Sequence, residues 1–145
     1  MIFREATPGD IQQIQIVRNA VKENILSNPA LVTDKDCEEF LMIRGKGWVC
    51  ELDGSIVGFS IVDMKERNVW ALFVHPDHEA KGIGKRLHDR MMNWYFDQTK
   101  ETIWLSTAPG TRAESFYKCR GWKEVGKHGT KEIRLEMNYE EYRNY

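Results

Sequence analysis

The sequence predicts an α/β fold, a mixed sheet of about seven strands accompanied by about four helices. Three observations lead there. Stretches with apolar residues at helical spacing alternate with short runs that are apolar throughout or alternate strictly. Asp53-Gly54 joins two apolar runs, a strong hairpin signal. Leu72-Phe73-Val74 reads as the end of a strand, and after His75-Pro76 a polar turn with Gly82 and Gly84 opens onto an amphipathic helix.

The elements follow in order. Residues 2–6 form a short strand. Thr7-Pro8-Gly9-Asp10 then supplies an N-cap, a proline at the first helical position and an acid at the third. Ile11, Ile14, Val17 and Val21 recur at helical spacing, so a first helix runs to about Glu23, and Asn28-Pro29 breaks the chain. A second helix starts at Thr33, with Asp36 as its capping acid, and carries Cys37, Phe40 and Leu41 inward. Residues 48–52 and 56–62 flank the Asp53-Gly54 turn, and Lys65 to Asn68 turns the chain into 69–74, apolar on both faces as a central strand is. Ile83, Leu87, Met91 and Trp94 lie on one stripe of the next helix. Residues 102–106 form a strand and 111–120 a short helix, with Gly121 placed as its C-terminal cap. Residues 122–126 and 132–138 close the fold as an antiparallel pair, Ile133, Leu135 and Met137 alternating with polar neighbours. The tail from Tyr139 to Tyr145 is expected to pack on a second subunit, making a homodimer, or to fray.

The chain has 145 residues, 41% hydrophobic and 30% charged, which suits one globular domain over 1–145 and argues against disorder. Its net charge of −1 gives no global field to gather nucleic acid. No apolar run approaches the roughly 20 residues that span a bilayer, so no membrane is expected. The first residues lack the basic and apolar regions of a signal peptide. Cys37, Cys50 and Cys119 are an odd number without metal-ligand spacing, so reduced thiols, a cytoplasmic location and no metal are expected.

The glycine turn is the most informative stretch. A turn at a helix N-terminus presents unpaired backbone N–H groups on the positive end of the helix dipole, a site for phosphate. Lys81, Lys85 and Arg86 add positive charge around it. The dinucleotide fingerprint is excluded because Leu87 stands where its third glycine belongs. The nucleotide-triphosphate loop is excluded because Arg86, not Ser or Thr, follows Gly84-Lys85.

Two patterns occur in sequence. Glu79-Ala80-Lys81-Gly82-Ile83-Gly84 fits Gln/Arg-x-x-Gly-x-Gly/Ala except at its first position. Ala113-Glu114-Ser115-Phe116-Tyr117-Lys118-Cys119-Arg120-Gly121-Trp122 fits Ala-x-x-x-Tyr-x-x-x-Gly-Phe with Trp at the end. With the order of elements, they resemble the GNAT superfamily of acetyl-CoA-dependent N-acetyltransferases over nearly the whole chain. The resemblance implies a single N-acetyltransferase domain with a bulge in the fourth strand and a splay between the fourth and fifth. Three departures stand out: Glu79 in place of Arg or Gln; Ala80 in place of a frequent glycine, tolerable unless the turn needs positive φ there; and Gly110 in place of a common Asn.

The resemblance implies transfer of an acetyl group from acetyl-CoA, the co-substrate, to an amine on a small molecule or a protein, by direct attack. Backbone groups of Leu72, Phe73 and Val74 are expected to hold the pantetheine arm, and the N–H of Leu72 or Phe73 to polarise the thioester carbonyl. The turn from Glu79 through Ala80, Lys81, Gly82, Ile83 and Gly84 to Lys85 takes the pyrophosphate, with Ala113 and Phe116 also lining the cofactor. Tyr117 falls on the family's general acid; a phenol with a pKa of about 10 is protonated at neutral pH and can donate to a leaving thiolate. Glu66 and Asp63 are the candidate bases, each more readily read as an exposed turn charge, with Glu66 ranked first. His75 and His78 are expected to cap or orient the cofactor turn. The acceptor site is expected at Arg18, Asn19, Glu23, Asn24 and His128, though these also read as solvated surface. Two alternatives stay open: an acyl-CoA-binding regulatory module that has lost catalysis, and a toxin-like acetyltransferase acting on aminoacyl-tRNA.

Overall fold

The structure, a computed structural model, describes residues 1–21 and 32–144. Two compact units divide the chain, Met1–Tyr95 and Phe96–Tyr145.

In the first unit, β1 (Ile2–Glu5), β2 (Gly45–Leu52), β3 (Ser55–Asp63) and β4 (Asn68–Val74) lie side by side in that order, each antiparallel to its neighbour. Helices α1 (Ile11–Ala20) and α2 (Asp34–Glu38) precede β2, and α3 (Ile83–Gln98) follows β4, its last residues entering the second unit. The start of α1 is tied to the sheet by charge. Asp10 is buried, accepts from the Thr7 N–H at 2.8 Å, and meets both Nη atoms of Arg4 on β1 at 2.8 Å. Arg4 also donates to Glu51 on β2 at 2.6 Å. The Arg4 hydrogen bonds hold the Asp10 carboxyl below the usual carboxylate range.

Helix α1 stops at Ala20 rather than at Glu23, because Val21 is already extended, with ψ of 115°. Glu23 and the Asn28-Pro29 break lie outside the described residues. The start of α2 is as expected: the Asp36 N–H donates to Thr33 Oγ1, and the Thr33 N–H donates to Asp36, both at 3.0 Å. Beyond Glu38 the chain widens into a π-helical stretch, Glu39–Arg44, that the apolar spacing did not foretell. Strand β2 begins at Gly45, three residues before the apolar run. A Cβ there would lie 1.7 Å from the Val62 carbonyl oxygen, so only glycine lets β2 pair this far along β3. The hairpin turn forms at Asp53 and Gly54, with φ of 52° and 81°.

The core of this unit packs Ile11, Ile14 and Val17 of α1 with Cys37 and Leu41 onto Val49, Phe59, Ile61 and Ala71 of the sheet. Each Ile, Val, Leu or Phe among them contributes roughly 1.5–3 kcal/mol of hydrophobic stabilisation. Strand β4 is irregular at one place. Ile61 pairs with Ala71 and Val62 with Val69, so Trp70 is an extra residue and β4 bulges there.

In the second unit, β5 (Ile103–Thr107), β7 (Glu132–Met137) and β6 (Lys123–His128) form antiparallel pairs in that order. Ile103, Leu105, Ile133, Leu135 and Met137 are buried, as the alternation requires, whereas every residue of β6 is exposed. Helix α4 (Arg112–Cys119) ends as Gly121 implies. That residue has φ of 93°, and the N–H groups of Gly121 and Trp122 donate to the carbonyls of Lys118 and Tyr117 at 3.1 Å. Of the two expectations for the tail, fraying is not what the structure shows. Residues Tyr139–Arg143 form α5, capped by an Asn138–Glu141 box, with the Tyr139 and Tyr142 rings 5.8 and 5.0 Å from Phe96. The described residues thus hold seven strands and five helices, close to the numbers expected. None of those helices is long and apolar enough to cross a membrane.

Candidate active site

Strand β4 delivers the chain to the glycine turn. The His75 N–H donates to the Val57 carbonyl at 2.8 Å. Counting back along the antiparallel register, Phe73 opposite Phe59 and Ala71 opposite Ile61 turn their backbone groups toward β3. Leu72 and Val74 therefore point their N–H groups away from β3. Of the two amides expected to polarise a carbonyl, that of Phe73 is engaged in the ladder with β3 and that of Leu72 is not.

After Val74 a 3-10 turn spans Pro76–His78. His75 caps it, its Nδ1 accepting from the Asp77 N–H at 3.1 Å, which places the ring proton of a neutral imidazole on Nε2. The His78 Nδ1 lies 3.1 Å from Lys81 Nζ. Both histidines thus order the turn, as expected. The backbone then passes through two left-handed residues, Ala80 with φ of 62° and Gly82 with φ of 79°, before α3 begins at Ile83. The first helical hydrogen bond runs from the Arg86 N–H to the Gly82 carbonyl at 3.2 Å, so the amides of Ile83, Gly84 and Lys85 stand outside the helix's own ladder. A Cβ built at Gly82 would meet nothing within 4 Å. Open space in front of free amides at the head of a 16-residue helix fits a pyrophosphate group. The side chain of Glu79 is exposed, and the guanidinium carbon of Arg86 sits 4.0 Å from the centre of the Phe3 ring on β1.

Ala80 occupies the conformation that makes the absence of glycine matter. Substituting Ala80→Gly should stabilise the protein by roughly 0.5–1 kcal/mol, the relief of left-handed strain less the added chain entropy of glycine. Thermal unfolding reads this directly; an unchanged or lower melting temperature would contradict the strain.

Tyr117 lies on α4, whose N-cap Thr111 accepts from the Glu114 N–H at 3.3 Å. The ring is buried, edge-on to Phe116 and Trp122 at 5.3 and 5.5 Å, and burial pushes its pKa well above the ordinary phenol value. Gly110, where an Asn is common, has φ of 77° and donates its N–H to the Glu114 carboxylate at 2.7 Å. Ala113 and Phe116 are partly buried on the same helix.

The two candidate bases fare differently from expectation. Asp63 is no exposed turn charge: it is buried, accepts from Arg44 Nε at 3.1 Å and Nη2 at 2.6 Å, and accepts from the Lys65 N–H at 3.0 Å. Three donors nearly saturate a carboxylate and leave little of it to accept from an amine. This geometry assigns Asp63 to holding Arg44. Glu66 is exposed in the turn between β3 and β4. Leu72 lies four strand residues beyond Asn68, about 13 Å at the usual rise, outside the reach of one side chain and one water.

Of the acceptor candidates, Glu23 and Asn24 lie outside the described residues, and Asn19 is exposed on α1. His128 is exposed on β6, its ring 5.3 Å from that of Trp104. Arg18, in the last turn of α1, sits over the bulge, its guanidinium carbon 5.6 Å from the centre of the Trp70 ring and 5.8 Å from that of Phe73. Trp70 in turn stacks on Phe40 from the π-helical stretch, with ring centres 4.2 Å apart and planes 10° from parallel. Arg44 covers Phe40 at 4.4 Å. Trp70 and Arg44 were not singled out in the sequence, and Phe40 was expected only to face inward from the second helix. The spacing of Phe40 and Arg44, one turn apart, was their only signal. Among the described residues no group of three or more His, Cys, Asp or Glu is gathered as a metal site.

The sequence model of the Acetyltransferase (GNAT) family matches residues 18–122. The chain belongs to the GNAT acetyltransferase family. Solved structures agree on the fold of this GNAT chain. The PaiA N-acetyltransferase of Thermoplasma acidophilum, in complex with coenzyme A, superposes with a TM-score of 0.81 at 16% identity, over 95% of this chain and 98% of that one. A GNAT acetyltransferase from Staphylococcus aureus Mu50 gives 0.81 at 18% identity, over 95% and 98%. The ribosomal-protein-alanine N-acetyltransferase of Brucella melitensis gives 0.76 at 17%, over 95% and 99%. No curated protein sequence matches the chain.

Proposed function

We propose that this GNAT chain works as one N-acetyltransferase domain that moves an acetyl group from acetyl-CoA to an amine by direct attack. The observation that carries the proposal is the pair of left-handed residues, Ala80 and Gly82, that leaves free amides and open space at the head of α3 directly after the bulged strand β4. The amides of Ile83, Gly84 and Lys85 hold the pyrophosphate, with Lys81 beside them. The N–H groups of Leu72 and Val74, turned away from β3, bind the pantetheine arm as an added strand would, and Leu72 polarises the carbonyl.

Acetyl-CoA supplies an acetyl group already activated as a thioester. A neutral amine forms the new C–N bond, the C–S bond breaks, and the Tyr117 phenol gives its proton to the departing thiolate. Burial keeps that phenol protonated across the working range. Since neither Asp63 nor Glu66 is placed to deprotonate the amine, its proton leaves to solvent, and the reactive fraction grows tenfold per pH unit below an amine pKa of about 10.

Thermal unfolding with and without coenzyme A tests the binding half of this reading. Ligand at 100 times its dissociation constant should add about 2.7 kcal/mol of stability. A melting temperature unmoved by millimolar coenzyme A would refute it.

A further inference from the structure

Strand β4 holds one residue more than β3 can pair between two fixed points. At one end Asn68 lies opposite Asp63 and Val69 opposite Val62; at the other the Val57 carbonyl holds the His75 N–H. Where the extra residue sits decides which amide is left out of the ladder, because a shift of one residue reverses the direction of every N–H along the strand. With the extra residue at Trp70, Phe73 lies opposite Phe59 and turns its N–H to β3, and Leu72 does not. With the extra residue beyond Leu72, the count from Asn68 would put Leu72 opposite Phe59, and the two amides would exchange places. The run from Val69 to Val74 is apolar throughout and marks no residue as the extra one. Something outside the strand must hold it at Trp70.

We propose that Phe40 is a positioning residue: by stacking on Trp70 it holds the extra residue there, and so keeps the Leu72 N–H rather than that of Phe73 outside the β3 ladder. This rests on the reading above in which Leu72 polarises the thioester carbonyl. The Phe40 and Trp70 rings lie face to face, 4.2 Å apart between centres and 10° from parallel. Phe40 does not belong to the sheet; it comes from the π-helical stretch Glu39–Arg44, and its own surroundings fix it in turn. The Arg44 guanidinium carbon lies 4.4 Å from its ring centre. Arg44 donates to both carboxylate oxygens of the buried Asp63, the residue opposite Asn68 at the start of β4. The stack therefore ties the bulge to the end of the strand from which the register is counted. An aromatic pair of this kind shifts an equilibrium by up to about 10-fold, and without it the extra residue is free to move along β4.

Amide hydrogen exchange in the ligand-free protein, followed residue by residue by NMR, tests the placement without any reaction. Phe40→Leu keeps an apolar side chain but removes the stack, and Phe40→Tyr keeps both. Exchange at the Phe73 amide should quicken by about 10-fold in Phe40→Leu and stay near the wild-type rate in Phe40→Tyr. The Ser60 amide, turned toward β2, reports any loosening of the sheet at large and should keep its wild-type rate. Trp70→Leu removes the same stack from its other side and should repeat the pattern, so the test does not hang on one variant. The link to chemistry is read by infrared difference spectroscopy of acetyl-CoA, labelled with carbon-13 at the thioester carbonyl and bound without any amine. In the wild type the bound carbonyl stretch should fall below that of free acetyl-CoA, the mark of a hydrogen bond donated to it. In Phe40→Leu it should move back toward the free value, while coenzyme A still raises the melting temperature. Unchanged exchange at Phe73, equal quickening at Phe73 and Ser60, the same quickening in Phe40→Tyr, or a bound carbonyl that Phe40→Leu does not move would each overturn the inference. A wild type that leaves the carbonyl at its free value, or does not bind acetyl-CoA, would instead bring down the reading of Leu72, and the exchange rates would still decide where the bulge is held.

Discussion

Gly82→Trp should remove the gain in melting temperature that coenzyme A gives the wild type, while the protein still folds. At φ of 79° any side chain at this position carries left-handed strain of roughly 1–2 kcal/mol, which a marginal domain survives. The space around the Cβ is empty, so Gly82→Ala should lose roughly 0.5–1 kcal/mol, that strain less the chain entropy that glycine costs, and keep most of its affinity. An indole fills the space before the amides of Ile83, Gly84 and Lys85 and blocks the approach of a pyrophosphate. Affinity should fall by about 100-fold or more, some 2.7 kcal/mol or more of binding free energy. Wild-type affinity in Gly82→Trp would place the cofactor elsewhere.

Tyr117→Phe should lower turnover by about 10²–10⁴, the usual range for losing a positioned general acid. The ring itself is kept, so its edge-on contacts with Phe116 and Trp122 survive and the fold should change little in stability. Coenzyme A affinity should be unchanged. Because burial raises the Tyr117 pKa, activity should show no alkaline fall from its ionisation near pH 10, where an exposed phenol would titrate. Wild-type turnover in the variant, under conditions where chemistry limits the rate, would leave Tyr117 as a packing residue.

What could be read in the sequence followed from local rules. Asp53-Gly54, the Thr33–Asp36 box, Gly121 after α4 and the alternation of Ile133, Leu135 and Met137 each depend on a few neighbouring residues, and each stands in the structure. The glycine turn was legible as a turn. The left-handed state of Ala80 was not.

 That of Ala80 depends on how the turn meets the helix, which no short pattern encodes. Longer-range features were hidden for the same reason. The run Val69-Trp70-Ala71-Leu72-Phe73-Val74 is apolar throughout, so nothing in it marks Trp70 as the bulged residue until β3 supplies the register. Asp63 read as a turn charge because its partner, Arg44, lies 19 residues earlier. Helix α5 was missed although Asn138 and Glu141 have capping-box spacing, because a five-residue helix is too short to show a period.

The most direct measurement of the central claim is acetyl transfer itself: free thiol released from acetyl-CoA across a panel of amines, with the acetylated amine identified by mass spectrometry. The expected result is thiol release that depends on both protein and amine, equals the N-acetyl product in amount, and is lost in Gly82→Trp and sharply reduced in Tyr117→Phe. Coenzyme A binding without amine-dependent thiol release, across amines with and without carboxylates, would contradict the account and leave a binding module in its place.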